Sequence, residues 1–474
     1  MQQNKIAQII AHTGAYFTLR NTPPFSCVFP QNSGIHRFVP AKDKITKGDP
    51  IDVLTGQVVE QRIDFTLGQT IPLAFIRTWS RHKDEQQADG LCGRFWMDNF
   101  SEYAEVSDSG QHIKIATFEG SYLRFALPLG ATGSSNPDHP EYTLIRHREY
   151  LELFHRETQL SKLFYFSHSA ENDDTETESE SSEADFAYPP LTDGRYLISA
   201  WLDTFDNAVQ FHYNEHSWLE AVSHTDGITL AFTYQGEWLH QIIRTDTEQA
   251  EVLATYRQDE RGALVENNAL LDFHLFYEYD SHFNLTRWAD NDKTWVDYHY
   301  DEQGRVIHSI GAEGFYPVWL QYEENRTTVL DSQQRATVYD YDSHLMKPLS
   351  ITLPSGAKTH FEYDRYGNLL SQTFADGKQV QFDYLEQTGL VTCFTNTAGK
   401  QWHYDYDENE QLCQLSDPLG RVWAKTENRG TFAKNSDNPT ACTTLFTSPD
   451  GSTTEFIRNQ YGLLTEVKST FGKH

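Results

Sequence analysis

From about residue 200 onward, apolar and polar residues alternate in short runs that end in an aromatic residue, one further residue and a tyrosine. A period of two places Val296, Tyr298 and Tyr300 on one face of a strand. Asp297 and His299 then lie on the opposite face. Each run therefore predicts a β-strand with one aromatic face and one polar face.

The closing tyrosine of these runs returns at intervals of 19 to 23 residues, and we take it as the anchor of a repeat. Regular spacing of this kind is the sequence signature of a repeat architecture. The anchors predicted in this way are Tyr213, Tyr234, Tyr256, Tyr279, Tyr300, Tyr322, Tyr341, Tyr363, Tyr384 and Tyr406. Their placement along the whole array favours a role in packing over a local binding site.

Turn signals separate the runs. An Asp-x-x-Gly pattern follows some anchors and ends at Gly304 and Gly367, with an aspartate that accepts backbone hydrogen bonds and a glycine that tolerates positive φ. A second turn, such as Asp376-Gly377, comes later in many units. Two short strands and two turns fill about 21 residues. The sequence therefore predicts a mainly β fold, built as an antiparallel strip of hairpin repeats.

Charge and hydropathy exclude several classes of partner. The formal net charge is -30, which opposes non-specific binding of nucleic acid and of anionic lipid. No stretch approaches the roughly 20 apolar residues of a membrane-spanning helix, and the first residues do not form a signal peptide. The five cysteines contain no CxxC pair, so neither a zinc ribbon nor a disulfide framework is predicted.

Sequence motifs for catalysis are missing as well. The chain contains no HExxH, GxSxG or GxxxxGK[ST] pattern. His299, His360 and His403 each stand alone on the polar face of a strand, which is typical of surface residues rather than metal ligands. We therefore predict no catalytic residue, no cofactor and no metal site.

A family resemblance enters with the Y-D-x-x-G units, notably Tyr300-Asp301 with Gly304 and Tyr363-Asp364 with Gly367. They resemble the YD repeats of the Rhs family of bacterial polymorphic toxins. An upstream segment is similar in order and spacing to the N-terminal domain of that family. The residues that carry this second resemblance include Asp49, Pro50, Thr55, Gly56, Arg77, Gly93 and Trp96.

The resemblance implies a function as well as a fold. Members of the family form a long β-strip that spirals into a hollow cocoon around a toxic effector, and contact-dependent machinery such as the type VI secretion apparatus delivers it. This chain would then be a non-catalytic part of such a shell. Its partners would be a toxin or effector cargo, or the remaining shell chain, together with secretion spike or adaptor proteins. It would reside in the bacterial cytoplasm before secretion.

The same resemblance divides the chain into four segments. Residues 1–45 would be a leader that plugs one end of the shell, and 46–168 the N-terminal Rhs-type β domain. Residues 169–188 are acidic without basic residues and predict a disordered insert. Residues 189–474 form the repeat array. Asp417-Pro418-Leu419-Gly420 resembles a self-cleavage motif of the family, but we interpret it as a repeat turn.

Two other functions remain open at the level of sequence. Tyrosine rings stack on sugars, so a surface adhesin with a glycan-binding tyrosine face is one alternative. A carbohydrate-active β-protein is the second, because carboxylates are abundant, although abundance alone makes their proximity uninformative. The periodic placement of the tyrosines favours the scaffold.

Overall fold

A computed structural model of the chain describes residues 39–81, 87–107, 112–126, 133–136, 139–166, 191–270, 274–290, 293–428 and 442–471. The acidic insert at 169–188 and most of the leader at 1–45 lie outside the described residues. The four segment boundaries stay predictions.

Almost every regular element is a β-strand. The first strands are β1 (Thr46–Lys47), β2 (Ile51–Asp52), β3 (Glu60–Leu67), β4 (Leu73–Trp79), β5 (Trp96–Asp98), β6 (Tyr103–Ser107), β7 (His112–Ala116), β8 (Tyr122–Ala126), β9 (Ser134–Asn136), β10 (His139–Arg146), β11 (Tyr150–His155) and β12 (Leu160–Phe166). The next strands are β13 (Gly194–Asp203), β14 (Ala208–Tyr213), β15 (Leu219–His224), β16 (Thr229–Gln235), β17 (Trp238–Arg244), β18 (Glu251–Gln258), β19 (Leu264–Ala269), β20 (Leu275–Tyr279), β21 (Leu285–Asp290), β22 (Thr294–Tyr300), β23 (Val306–Gly311) and β24 (Val318–Glu323). The last strands are β25 (Arg326–Leu330), β26 (Ala336–Asp342), β27 (Lys347–Thr352), β28 (Lys358–Tyr363), β29 (Leu369–Thr373), β30 (Gln379–Tyr384), β31 (Val391–Thr395), β32 (Gln401–Tyr406), β33 (Leu412–Ser416), β34 (Val422–Asn428), β35 (Cys442–Thr447), β36 (Thr453–Arg458) and β37 (Leu464–Thr470). Short 3-10 turns cover Ala41–Asp43 and Ala312–Gly314.

Neighbouring strands of the repeats pair antiparallel, as β14 does with β15 and β28 with β29. The predicted mainly β, antiparallel hairpin class is therefore confirmed. Its cause is local: the repeat strands alternate apolar and polar residues, and tight turns connect strands such as β28 and β29.

The chain divides into two compact units. The described part of the first unit contains 39–59, 139–140 and Val296–Tyr404. Its core includes Ile51 from β2, Val296 and Tyr298 from β22, and Leu320 from β24, all buried. The short pair of strands β1 and β2 thus belongs to the same unit as the repeats between β23 and β31.

The second unit contains Glu60–Asn136, Glu141–Trp295 and Asp405–His474. In it, β3, β4 and β5 form a separate antiparallel sheet. Strand β13 pairs with β12, β14 and β6, so it joins the first repeats to the strands that precede them.

Most anchor tyrosines coincide with a β-bulge. The register shifts between His299 and Tyr300, and between Glu362 and Tyr363, where the tyrosine closes the strand. A bulge leaves one extra residue on one strand and increases the local twist. The YD position is therefore where each hairpin bends into its turn.

The anchor assigned to Tyr256 is wrong, because the anchor position of this repeat lies two residues later. In β18 the bulge falls between Arg257 and Gln258, and Gln258 pairs with Leu264 as the other anchors pair with the residue after their turn. Gln258 therefore holds the anchor position of this repeat, and Tyr256 is the aromatic residue two positions earlier. The spacing selected Tyr256, whereas the anchor position of this repeat holds a glutamine.

Candidate functional site

In most repeats, the turn after the anchor is closed by one carboxylate or amide oxygen. In the turn after Tyr300, Oδ1 of Asp301 accepts the N–H groups of Gln303 at 3.0 Å and Arg305 at 2.9 Å. The N–H of Gly304 donates to the Asp301 carbonyl at 3.1 Å, and Gly304 has φ of 75°. Asp therefore follows the tyrosine because its side chain satisfies two turn amides that the bulge leaves without a ladder partner.

The same arrangement recurs at Asp364, whose Oδ1 accepts the N–H groups of Tyr366 and Asn368 at 2.8 and 2.9 Å. Gly367 in this turn has φ of 81°. Asp417 does likewise with Leu419 and Arg421, both at 2.9 Å. The Asp417-Pro418-Leu419-Gly420 motif is thus built as a repeat turn.

The anchor tyrosines connect successive repeats. Five of the anchor hydroxyls donate to a main-chain carbonyl 15 or 16 residues earlier, usually that of the residue that follows the previous turn. These bonds join Tyr213 to Ile198 (2.8 Å), Tyr234 to Leu219 (2.8 Å), Tyr279 to Leu264 (2.9 Å), Tyr322 to Val306 (2.6 Å) and Tyr384 to Leu369 (2.9 Å). The tyrosine thus carries a ring for the apolar face and a hydroxyl for the neighbouring backbone.

Burial raises the pKa of the hydroxyls of Tyr213, Tyr234 and Tyr279 above its ordinary value. They remain protonated donors at neutral pH. At the non-tyrosine anchor, the amide of Gln258 donates to the Leu239 carbonyl at 3.0 Å and keeps the same connection.

The remaining anchors occupy the equivalent strand ends. Tyr300, Tyr341 and Tyr406 are half-buried. Tyr363 differs, because its buried hydroxyl has no hydrogen-bond partner within the described part of the chain.

In the first unit, the segment from Asp49 to Gly56 lies against the repeats. The Asp49 carbonyl accepts a hydrogen bond from the Tyr298 hydroxyl. The Gly56 carbonyl accepts the N–H of Val306 at 2.8 Å. A Cβ on Gly56, which has φ of 72°, would lie 2.7 Å from the Tyr322 hydroxyl oxygen, so only glycine fits there.

Pro50 and Thr55 shape this segment. The Pro50 carbonyl accepts the N–H of Val59 at 2.9 Å. The Thr55 hydroxyl donates to the Asp52 carboxylate at 2.7 Å, and that carboxylate also accepts the N–H of Leu54 at 3.0 Å. Asp52 thereby holds a tight loop whose carbonyls face the repeats.

In the second unit, the sheet of β3, β4 and β5 contributes a charged group to the interior. Arg77 has no exposed surface. Its Nε donates to both carboxylate oxygens of Asp64 at 3.1 and 2.9 Å. Its Nη1 donates to the Tyr277 hydroxyl at 3.1 Å, and its Nη2 to the Asn267 side-chain oxygen at 2.9 Å. One guanidinium thus joins β3, β4 and two repeat strands.

Aromatic rings complete the enclosure of Arg77. Its Cζ lies 4.6 Å from the ring centroid of Trp96, which is also fully buried. Trp96 Nε1 donates to the Tyr279 hydroxyl at 2.9 Å, so this signature residue contacts an anchor directly. The Tyr256 hydroxyl donates to Asp64 at 2.6 Å, which gives the residue misassigned as an anchor a different role.

Gly93 lets the backbone approach a repeat turn. A Cβ on Gly93 would lie 2.9 Å from the Gly262 carbonyl oxygen, and φ there is 143°. The neighbouring N–H of Arg94 donates to that carbonyl at 2.8 Å, and the Leu91 carbonyl accepts the N–H of Leu239 at 2.9 Å. The signature segments in both units therefore bind post-turn N–H groups through main-chain carbonyls.

The electrostatics of this cluster are structural. Burial alone would lower the pKa of Arg77, but the adjacent Asp64 carboxylate holds that pKa above its ordinary value. Burial raises the pKa of Asp98 to about 6, even though its oxygens accept hydrogen bonds from the N–H groups of Leu91, Phe100 and Ser101. Burial likewise raises the pKa of the Cys92 thiol, which disfavours the reactive thiolate.

Within the described ranges, no group of three His, Cys, Asp or Glu side chains is arranged to hold a metal ion. No helix among those residues is long and apolar enough to cross a membrane. Arg77, Asp64 and the tyrosines bonded to them hold the sheet of β3, β4 and β5 against the repeat strands.

Sequence reasoning identified Arg77 and Trp96 by resemblance but did not connect them to Asn267 and Tyr277. About 190 and 200 residues separate Arg77 from these two partners. No local period marks contacts over such distances, so the sequence carried no signal for them.

Two family models match this chain. One, described as a domain of unknown function (DUF6531), matches residues 48–125 and so includes the signature segment. The other, described as Teneurin YD-shell, matches residues 320–418 within the repeats.

Curated relatives match almost the whole chain. A protein named probable deoxyribonuclease RhsB of Dickeya dadantii (strain 3937) is 37% identical over 469 residues, which is 98% of this chain and 30% of the relative. Probable deoxyribonuclease RhsA of the same organism is 37% identical over 450 residues, 94% of this chain and 29% of the relative. The chain thus spans less than a third of the length of either relative.

Among solved structures, a crystal structure of TcdB2-TccC3 aligns with 96% of this chain and 29% of that chain, at 11% sequence identity and a TM-score of 0.38. The sequence matches are the stronger finding, because they extend from the signature segment through the repeats. The chain is an Rhs-family YD-repeat protein.

Proposed function

We propose that this chain is a non-catalytic scaffold that forms part of a shell around a toxin or effector polypeptide. Both relatives carry deoxyribonuclease in their names, and this chain corresponds to only 30% and 29% of their lengths. The cargo is either carried by a longer polypeptide that contains this chain or supplied by a partner chain.

The observation that supports containment is a change in side-chain burial along the tyrosine face of the first unit. Tyr298 and Leu320 each have 2% of their surface exposed near the Asp49–Gly56 segment. Further along, the corresponding rings of Phe361 and Phe382 are half-buried, as are Phe394 and Trp402 on the same face, whereas Tyr404 is 5% exposed. The face thus continues beyond the repeats that this segment contacts.

These half-buried rings form a ladder across three strands. The ring centroids of Phe382 and Phe394 are 5.2 Å apart, and those of Phe394 and Trp402 are 5.6 Å apart. A partly exposed apolar surface of this kind is typical of interaction sites. An aromatic wall suits a polypeptide whose own apolar side chains are exposed.

A binding measurement tests containment. The probe is fluorescently labelled, reduced and carboxymethylated α-lactalbumin, which does not fold; native α-lactalbumin is the control ligand. We expect the unfolded probe to bind and the native protein not to bind. Trp402→Ser should weaken binding about tenfold, since ring burial contributes on the order of 1.5 to 3 kcal/mol.

His403→Ser is the matched control, because His403 is the next residue on β32 and lies exposed on the other face. It should leave the affinity unchanged. Equal losses for the two variants, or no binding by either form of the probe, would refute containment by this face. Binding to a glycan array in place of the polypeptide would replace the scaffold with the adhesin.

The route of delivery is the finer part of the proposal. The chain would remain in the bacterial cytoplasm until a contact-dependent apparatus of the type VI kind exports it with spike or adaptor proteins. Deleting the sheath gene of that apparatus in the producing bacterium should abolish export of the chain. Unchanged export would exclude this route without affecting the containment measurement.

A further inference from the structure

Three aromatic side chains stack across neighbouring strands on the polar face of the first unit. His299 of β22 lies opposite His308 of β23, and His308 lies opposite Trp319 of β24. The centroids of the two imidazole rings are 5.4 Å apart and their planes are 8° from parallel. The centroids of His308 and Trp319 are 4.8 Å apart, with an interplanar angle of 13°. His299, which the sequence places alone on its strand, thus has a second histidine beside it.

One hydrogen bond determines the tautomer of His308. Its Nδ1 lies 2.8 Å from the main-chain carbonyl oxygen of Val318. A carbonyl oxygen only accepts, so Nδ1 is the donor, and in the neutral ring Nε2 carries the free lone pair. Histidines that bind metal ions almost always donate their other ring N–H to a carbonyl or carboxylate oxygen in this way. His308 therefore has the orientation and the tautomer of a metal ligand.

His299 is free to adjust to the nitrogen that His308 presents. Its side chain is exposed, and within the described part of the chain its ring forms no hydrogen bond. The χ2 angle of histidine has a broad energy minimum, so the ring rotates at little cost. A metal ion with bonds of about 2.0 to 2.1 Å to two ring nitrogens needs those nitrogens about 3 to 4 Å apart. Rings with a centroid separation of 5.4 Å reach this spacing by side-chain rotation alone.

We propose that His299 and His308 form a binding site for a divalent transition metal ion, with Cu²⁺ bound most tightly. Imidazole nitrogen suits copper, zinc and nickel, and the affinity of such ligands for divalent ions is highest for Cu²⁺. The pair supplies two ligands and water supplies the others, so the site differs from a group of three protein ligands, which the described residues do not contain. It lies on the face opposite the tyrosine rings and does not depend on the proposed containment.

The sequence alone predicts no such site, because the two histidines are not spaced as a metal-binding motif. The nine residues from His299 to His308 include a bulge and a turn, which set the register between β22 and β23. Only that register places the second imidazole beside the first.

Electron paramagnetic resonance with Cu²⁺ tests the site. CuCl₂ is added to the purified chain in less than a stoichiometric amount, and electron spin-echo envelope modulation counts the imidazoles bound to the ion. We expect two imidazoles in the parent and at most one in His299→Gln or His308→Gln. His360→Gln is the matched control, since His360 is exposed on β28 of the same unit and lies opposite Ser350 and Thr373. It should give the parent signal.

Tryptophan fluorescence gives the affinity and the location of the ion. Bound Cu²⁺ quenches a nearby indole, so Trp319→Phe should remove the saturable part of the quenching while two imidazoles stay bound. With glycine as a competing chelator, His299→Gln should weaken Cu²⁺ binding by more than about tenfold, which is the least that loss of an outer-shell partner costs. Excess Mg²⁺ should not compete, because it prefers oxygen ligands.

The β circular dichroism spectrum checks that each variant is folded, and the exposed position of His299 predicts an unchanged spectrum for His299→Gln. One imidazole per ion in the parent would overturn the proposal. Equal Cu²⁺ affinities of His299→Gln and His360→Gln would also overturn it, as would quenching that Trp319→Phe leaves unchanged.

Discussion

A few buried polar residues determine how the segments of this protein fit together. Arg77 and Asp64 are both fully buried, and Asn267 and two tyrosine hydroxyls satisfy their remaining hydrogen-bonding atoms. A buried ion pair contributes little net stability when complete, but leaves an uncompensated charge when one partner is removed. Such a pair fixes the position of a segment more than it strengthens the fold.

Removal of the arginine should therefore be severe. We expect Arg77→Met to lower the free energy of unfolding by about 3 to 5 kcal/mol, because Asp64 is left buried without its cation. Urea denaturation followed by tryptophan fluorescence measures this loss. Arg335→Met is the control, since the Arg335 side chain is 60% exposed in its ion pair and should cost less than about 1 kcal/mol.

The hydroxyl of an anchor tyrosine that bonds to the previous repeat should contribute a smaller amount. Tyr234→Phe keeps the ring but removes the donor to the Leu219 carbonyl. We expect a loss of about 1 kcal/mol in urea denaturation. Tyr316→Phe, at a tyrosine that is 53% exposed, should change nothing measurable. Equal stability of the two variants would mean that the hydroxyls do not hold the repeats together.

Asp98 gives the protein a predicted pH dependence. Its pKa is raised to about 6 in the folded state, whereas an unfolded aspartate titrates near 3.9, so the folded state binds the extra proton between these values. The stability from this group is fully present below about pH 4 and is lost as the pH rises through 6. From pH 7 to 5, the wild type should gain about 1 kcal/mol relative to Asp98→Asn. Paired denaturation curves at the two pH values measure that difference, and a constant difference would contradict the assignment.

At the scale of elements, the hairpin array follows from the sequence alone. Alternation in Val296 to Tyr300 and the Asp301-x-x-Gly304 turn are local signals, and each acts within one hairpin. The anchor was wrongly assigned to Tyr256 because the assignment used the spacing between tyrosines and not the position of the following turn. Asp259 and Gly262 mark the turn of that repeat, and counting back from them reaches Gln258.

The covering elements could not be predicted in the same way. The Asp49–Gly56 segment and strands β3 to β5 bind repeats that are 150 to 250 residues away, often through main-chain carbonyls. Every residue type has a main-chain carbonyl, so a contact made through one cannot be predicted from the residue type. Glycines such as Gly56 and Gly93, where a side chain would collide, mark some of these contacts in the sequence.

Covered and uncovered strands should differ in stability. Residues Leu275 and Tyr277 of β20 are almost fully buried, whereas every residue of β37 is exposed. Elements with few buried apolar contacts open more readily. In hydrogen–deuterium exchange, the amides of β37 should exchange about 100-fold faster than those of β20. Equal protection would show that packing of the tyrosine face does not determine local stability.

For the whole molecule, no single motif identified the family, whereas the combined resemblance of the repeats and the upstream segment to the Rhs family did. Repeat spacing and the order of the signature residues agree with the family that the relatives show. The function of the longer relatives does not transfer by identity, because this chain corresponds to under a third of their length. The similarity to these relatives supports only the scaffold for this chain.

The claim that this chain is a scaffold rather than an enzyme is tested most directly by a nuclease assay on the purified protein. Supercoiled plasmid DNA and total tRNA are incubated with the chain in the presence and absence of Mg²⁺. We expect both nucleic acids to remain intact at every protein concentration. Mg²⁺-dependent cleavage that a single aspartate or glutamate substitution abolishes, with the fold preserved, would contradict it.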